Sequence, residues 1–438
     1  MRCLKTICAG GAVLLVLVTA CGVDTSRRSP TDDGQTSRTG SGVSAPAVGD
    51  TPVVMTTDIT DTTTLLVVHR ELVIGDQDGS PEYSFGDVTA AVPTPDGGVI
   101  TWDAIQRQVR RYDAQGTHVR TIGRYGPGPG EYGDLFGMAL LPDHGLAVWD
   151  AQHTRVELYD SVGSYRDSWH ATSDLLARNG LKLDNNGNLL LLIHVEPPAV
   201  GRGPEVVGRR EGFERREVLS GRVLDTIFAP LPLPMDDQLR VTQSGGNASV
   251  RVPFVPQLSW AITRSGTMAS GDGREYVIHL AATGTPSRRI ERALHPIELA
   301  ADERKNHEER LYSIIRRMDP SYPRRLINVP DTKPYFRSIA ADASGRIFVH
   351  RYMEASRIGT DVNHGVQPDG IPPIRWREPT VYDVFTENGC YLGSIQLPDR
   401  SLLLAPAGSN VWYVTYDSLD VARLVKGSFR TERSCLKG

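Results

Sequence analysis

The sequence predicts an all-β chain folded as a six-bladed β-propeller with four-stranded antiparallel blades and one short helical insertion. A self-repeat, and short apolar runs spaced by turn signals, carry that prediction. "PDGGVITWDAIQRQVRRYDAQGTHVRTIG" from Pro95 aligns with "PDHGLAVWDAQHTRVELYDSVGSYRDSWH" from Pro142. Asp96 then matches Asp143, Trp102-Asp103 matches Trp149-Asp150, Tyr112-Asp113 matches Tyr159-Asp160 and Gly116 matches Gly163, each pair 47 residues apart. A Pro-Asp-Gly turn, an Asp-rich loop and "YDxxG" separate alternating apolar runs, which is the pattern of antiparallel strands. Weaker copies start at Leu181, Leu258, Ile339 and Leu402, giving six units. One unit cannot bury both of its faces, but a closed ring of units can.

The chain divides into three parts. Residues 1–21 place Arg2 and Lys5 ahead of an apolar run too short for a stable span, which reads as an export signal. Val18-Thr19-Ala20-Cys21 resembles the lipobox of bacterial lipoproteins. That resemblance implies acylation at Cys21 and a membrane contact through the N-terminal lipid; the alternative is an ordinary signal cleaved near Ala20. The expected location is extracytoplasmic, lipid-anchored to the cell membrane or outer membrane; Gly22 stands where an aspartate would resemble an inner-membrane retention signal, which favours the outer membrane where the organism has one. Residues 22–50 have little to bury and read as a disordered tether reaching ~30 Å from the lipid. Residues 51–438 form the propeller.

Within the propeller, Trp102, Trp149, Trp260 and Trp412 are expected in the core, and the run from Leu65 is expected to supply the outer strand of the sixth blade. That would close the ring with the chain's own ends. "WDxxxxRVxxYDxxG" resembles the NHL repeat, and "IGRYGPGPGEY" resembles the connector of bacterial six-bladed propeller lipoproteins. The resemblance implies a fold and a binding role without implying a reaction.

The glycine-rich stretch at 122–138 reads as a connector. Pro127 and Pro129 remove two amide donors and no Lys-Ser/Thr follows, so it does not fit a phosphate cradle. Strand alternation puts insertions near 194–213, 230–256, 296–335 and 352–380 on one face of the ring. On that face the candidate ligand residues are Arg124, Tyr125, Glu131, Tyr132, Asp134, His350, Arg351 and Tyr352; arginine and tyrosine together suit carboxylates and sugar rings. Glu131 and Tyr132 could equally tie neighbouring blades together.

No catalytic residue is identifiable, no metal site is expected and no cofactor is implied. Asp76 and Asp184 sit in calcium-like runs that lack the later bidentate glutamate and fit blade turns. His307-Glu308 begins a zinc-protease motif, but Leu311 stands where its second histidine belongs. Leu311, Ile314, Ile315 and Met318 have helical spacing, so this insertion is expected to be an amphipathic helix docking on the propeller. A net charge of −4 over 438 residues gives no nucleic-acid footprint.

Two functions follow. The first is a surface-tethered binding or scaffold module for a protein, peptide or glycan. The alternative, from resemblance to propeller lactonases, is a metal-dependent hydrolase or lyase. Of the five cysteines, Cys390 and Cys435 remain after removal of the signal and lipidation, and both are expected on the face opposite the insertions, where strand directions permit a disulfide.

Overall fold

The computed structural model describes residues 17–18, 53–56, 65–76, 79–171, 180–195, 210–229, 238–243, 246–282, 287–359 and 370–431. Six antiparallel sheets form the blades of the propeller. Blade 1 comprises Val88–Pro93, Val99–Asp103, Gln108–Tyr112 and His118–Ile122, and blade 2 comprises Leu135–Leu140, Leu146–Asp150, Arg155–Tyr159 and Tyr165–His170. Blade 3 runs from Leu181 to Phe228, blade 4 from Ser259 to Glu291 and blade 5 from Phe336 to Leu397. In blade 6, Ser401–Ala407, Asn410–Tyr416 and Ala422–Ser428 are completed by His69–Ile74.

The outer strand of blade 6 therefore comes from the run that the sequence singled out. Two further edge strands were not foreseen. Val53–Thr56 pairs parallel to the outer strand of blade 4, and Leu65–Leu66 pairs parallel to that of blade 5. The N-terminal segment thus contributes edge strands to three successive blades before blade 1 begins. Each pairing satisfies backbone groups that would otherwise form an open edge.

The repeat has a hydrogen-bonding explanation. Asp113 Oδ1 accepts from the amides of Gln115 (2.9 Å) and Thr117 (2.8 Å), and Asp160 Oδ1 accepts from those of Val162 (3.0 Å) and Ser164 (2.8 Å). These carboxylates fold the tight turns whose fourth residues, Gly116 and Gly163, have φ of 80° and 81°. Asp103 accepts from the amides of Gly86, Asp87, Ile105 and Gln106, while Asp150 accepts from those of Gly133 and His153. Each Trp-Asp pair therefore supplies a core ring and an anchor for the preceding connector. Trp102, Trp149 and Trp412 are fully buried, but Trp260 is only half buried, so the core expectation holds for three of the four.

Asp184 folds a turn in the same way, accepting from the amides of Asn186 and Asn188 (both 2.8 Å) while pairing with Arg215 at 3.0 Å. Its oxygens are taken by donors, in keeping with a structural turn. The run at Asp76 extends into residues outside the description, as do Cys21, the segment 22–50 and Cys435.

Between blades 4 and 5, the fully buried Asp383 carboxylate accepts from Tyr276 (2.5 Å), Ser394 (2.5 Å) and Arg292. Burial, followed by the Asp383 charge, pushes the Tyr276 hydroxyl well above its ordinary range, so it stays a donor. Such a group fixes seam geometry, because buried Asp383, Tyr276 and Arg292 lack water as a substitute partner.

Candidate ligand face

The insertions form a second hydrophobic core on one side of the ring. The hairpin Gln238–Gln243/Gly246–Arg251 lies between blades 3 and 4 in the chain, and the helix Ala301–Met318 lies between blades 4 and 5. Val241, Val250, Val252, Phe254, Leu299, Leu311, Ile315, Tyr322 and Val329 are buried together, with Met318 and Tyr352 packed against them. The helix periodicity read from the sequence is correct in outline, with Leu311 and Ile315 buried and Ile314 half buried. The apolar stripe packs with the hairpin to form a cap, and Tyr352 at the end of a blade 5 strand packs against the same cluster.

Lys333 latches this cap to blade 5. Its fully buried ammonium bonds Glu303 of the helix at 2.7 Å, Glu378 at 3.1 Å and the Met353 carbonyl at 3.0 Å, and lies 5.3 Å from the Phe254 ring centroid. Glu378 also accepts from Arg337 of the innermost blade 5 strand (2.6 Å) and from the Met353 amide (2.8 Å). Burial raises the Glu303 carboxyl above its usual range, outweighing the opposing pull of Lys333. His307, edge-on to Phe254 at 4.8 Å, is pulled down to about 4 by burial and by the nearby Lys333 and Arg310 charges. It is therefore a neutral packing residue of the cap at neutral pH, consistent with the broken zinc-protease motif.

The sequence-predicted ligand residues fall into two groups. His350 stacks on Tyr382 (4.4 Å, 23°), and burial holds its ring well below the ordinary histidine range. Arg351 turns toward Asp383 at 3.8 Å, and Tyr352 lies under Arg337 at 4.1 Å and beside Phe254 at 5.6 Å. These three side chains brace blade 5 and the cap.

In the connector, Glu131 accepts from Arg124 Nε (2.7 Å) and the Gly128 amide (2.9 Å), and Arg155 donates to the carbonyls of Pro127, Gly128 and Glu131. The loop thereby uses its own polar groups, as expected of a connector rather than a phosphate cradle. Gly123, at φ 62°, packs so closely that a Cβ would meet the Tyr132 ring at 2.6 Å and the Tyr159 hydroxyl at 2.7 Å. Tyr132 is fully buried edge-on to Trp102, its hydroxyl donating to the Ile122 carbonyl (2.8 Å) and accepting from the Val109 amide (3.0 Å). The reading that it joins neighbouring blades is the one its position fits.

Arg124 and Tyr125 remain exposed, with Arg107 4.4 Å from the Tyr125 centroid and 3.7 Å from Asp134. Among the described residues, no hydrogen bond, ion pair or ring contact joins this cluster to the blade 5 group. Sequence reasoning identified Arg124, Tyr125 and Asp134 but missed Arg107, whose positive φ of 54° marks a tight turn. It also missed Lys333, Glu303 and Glu378, for which only their place inside insertions gave a signal. Among the described residues, no group of three or more His, Cys, Asp or Glu side chains is placed to hold a metal ion.

Solved structures similar to this chain include a candidate exported protein from Bacteroides fragilis, at 10% identity and TM-score 0.45, covering 87% of this chain and 100% of that one. A member of the DUF4221 family from Bacteroides vulgatus matches at 11% identity and TM-score 0.48, covering 85% and 99%. Catalytically inactive virginiamycin B lyase from Staphylococcus aureus, in complex with quinupristin, matches at 10% identity and TM-score 0.40, covering 81% and 98%. No family model and no curated protein matches the sequence. At these identities the likeness is one of fold.

Proposed function

We propose that this protein is an extracytoplasmic recognition module, tethered to a membrane through a lipid on Cys21, whose inserted face engages a protein, peptide or glycan. The observation that carries the reading is the cap: a separate hydrophobic core on one face, latched to blade 5 by Lys333, Glu303, Glu378 and Arg337. A rigid scaffold with elaborated loops on one side is the usual construction of a binding surface. In the connector between blades 1 and 2, exposed Arg124, Tyr125 and Arg107 offer forked donors and a ring face suited to carboxylates and sugars. The Trp-Asp and Tyr-Asp repeats support an NHL-like assignment, and the apolar N-terminal run ending at Cys21 supports export and lipidation. Nucleic acid is not an expected partner, and the reading needs no cofactor.

The test is a peptide and glycan library presented to purified, lipid-free protein, with Arg124→Ala/Tyr125→Ala and an opposite-face control, His144→Glu. Ligands retained by wild type and the control but lost by the double variant support the proposal. Stoichiometric calcium or zinc, with turnover of a lactone abolished by chelation, would instead establish the metal-dependent hydrolase or lyase reading.

A further inference from the structure

The repeat departs from itself at one place in the core, and space opens there. In blade 1, Ile100 and Arg111 lie opposite each other on adjacent strands, and the residues 47 positions on, Ala147 and Leu158, do the same in blade 2. Leu158 is fully buried with Ala147 in the seam between blades 2 and 3. Arg111 holds the matching place in the seam between blades 1 and 2, where Ile100 belongs to the core. Beside it the structure has a cleft of about 280 Å³, whose lining includes Thr94, Asp96, Ile100, Arg111, Leu140 and Ser161. The cleft lies on the face opposite the insertions, between the turns at 94–98 of blade 1 and 160–164 of blade 2.

The polar wall of this cleft is one ion pair with bonding capacity to spare. Arg111 Nη2 donates to Asp96 Oδ2 at 2.9 Å, but Nη1 reaches only the Ser161 carbonyl, at 3.4 Å, and Nε is buried without a hydrogen-bond partner among the described residues. Asp96 Oδ1 is taken by the Thr94 hydroxyl and by the Gly98 amide at 3.3 Å, which leaves Oδ2 beside Arg111. Hydrogen bonding from Thr94, and then from Arg111, outweighs burial and holds the Asp96 carboxyl below its ordinary range, so it stays ionised. The turn itself does not require a cation in the seam. In blade 2 the equivalent Asp143 accepts from the Gly145 amide at 3.0 Å and pairs with Arg166 of the outer strand, while Leu158 fills the core.

We propose that the cleft between blades 1 and 2 binds a free α-amino acid with an apolar side chain, its carboxylate on Arg111 Nη1, its ammonium on Asp96 Oδ2 and its side chain against Ile100 and Leu140. An anion alone would meet the Asp96 carboxylate, and a cation alone would meet the Arg111 guanidinium. A zwitterion sets each of its charges against the opposite member of the pair. The volume is close to the ~300 Å³ at which small-molecule sites begin, which suits one amino acid. The proposal goes beyond the inserted face and does not depend on it.

The test is a ligand-observed NMR titration of the full chain with leucine, with N-acetyl-leucine, which lacks the ammonium, and with leucinamide, which lacks the carboxylate. Wild type is expected to bind leucine at least about tenfold more tightly than either analogue. Arg111→Leu installs the residue that blade 2 carries at this place, so it should fold, and it should reduce leucine to the affinity of leucinamide. Asp96→Asn, which keeps an acceptor for the turn, should reduce leucine to the affinity of N-acetyl-leucine. Leucine bound no more tightly than its analogues, no binding of leucine at millimolar concentration, or unchanged leucine affinity in Arg111→Leu would overturn the proposal. The wild-type comparison decides the matter even if a variant fails to fold.

Discussion

Replacing Lys333 by methionine tests how the cap is held. The substitution keeps most of the side-chain volume but removes the ammonium 2.7 Å from Glu303 and 3.1 Å from Glu378, leaving Arg337 as the remaining cation of that group. Two carboxylates would then share one cation in a site from which Lys333 is wholly excluded from water. Breaking such a pair by removing one partner costs about 3–5 kcal/mol, because the remaining charge stays buried. We expect a loss of that size in urea unfolding at neutral pH, and faster hydrogen exchange in Ala301–Met318. The sign of the pH dependence is fixed by Glu303. Its folded-state carboxyl is already raised by burial and would rise further without Lys333. A group whose folded pKa is raised contributes stability at low pH and loses it as pH rises, so the variant's deficit should shrink on acidification toward the folded Glu303 pKa. Adding Glu303→Gln should recover much of the loss at neutral pH. A deficit below about 1 kcal/mol, outside the range for a buried pair, or one that neither acid nor Glu303→Gln relieves, would refute the latch.

Other consequences can be checked separately. Asp383→Ala should cost about 3–5 kcal/mol by stranding Arg292, while Asp383→Leu combined with Arg292→Met should cost far less, in a double-mutant denaturation cycle. His307, depressed to about 4, makes the unfolded chain take up its proton first; stability should fall between about pH 6.5 and pH 4 by about 2–3 kcal/mol, and His307→Phe should flatten that slope in pH-resolved melts. Cys21→Ser should shift the protein from the detergent to the aqueous phase in fractionation, since the tether alone has no anchor. Cys390 is disulfide-bonded, and non-reduced peptide mapping is expected to pair it with Cys435, a link contributing about 2–4 kcal/mol by restricting the unfolded chain; alkylation of both thiols without reduction would exclude it.

The parts of this architecture written locally were legible. Trp102-Asp103, Trp149-Asp150 and the Asp113 and Asp160 turns recur because each solves a short-range problem, a core ring plus a turn whose amides need an acceptor. Insertion sites could be read because strand alternation assigns every loop to a face. Contacts between distant segments could not. Lys333 meets Glu303 from the far end of its own insertion and Glu378 from the next one, and Arg292 meets Asp383 across a blade seam, with no periodicity to announce these pairs. Tyr132 shows the same limit within a visible motif: its residue type fits a ligand face, but its 0% exposure reflects a ring slotted against Trp102. The edge strands at Val53–Thr56 and Leu65–Leu66 were missed because so short a segment carries little strand signal until a blade edge is available to pair with it.

The central claim is that recognition belongs to the inserted face, and a hydrogen-exchange footprint of bound ligand tests it most directly. A library-derived peptide or glycan should protect amides of the connector at 123–134, the hairpin at 238–251 and the cap segments at 301–333 and 352–357. The turns at 94–98, 142–145 and 342–346 on the other face should be unchanged. Protection confined to those opposite turns, with none in the connector or cap, would contradict the account.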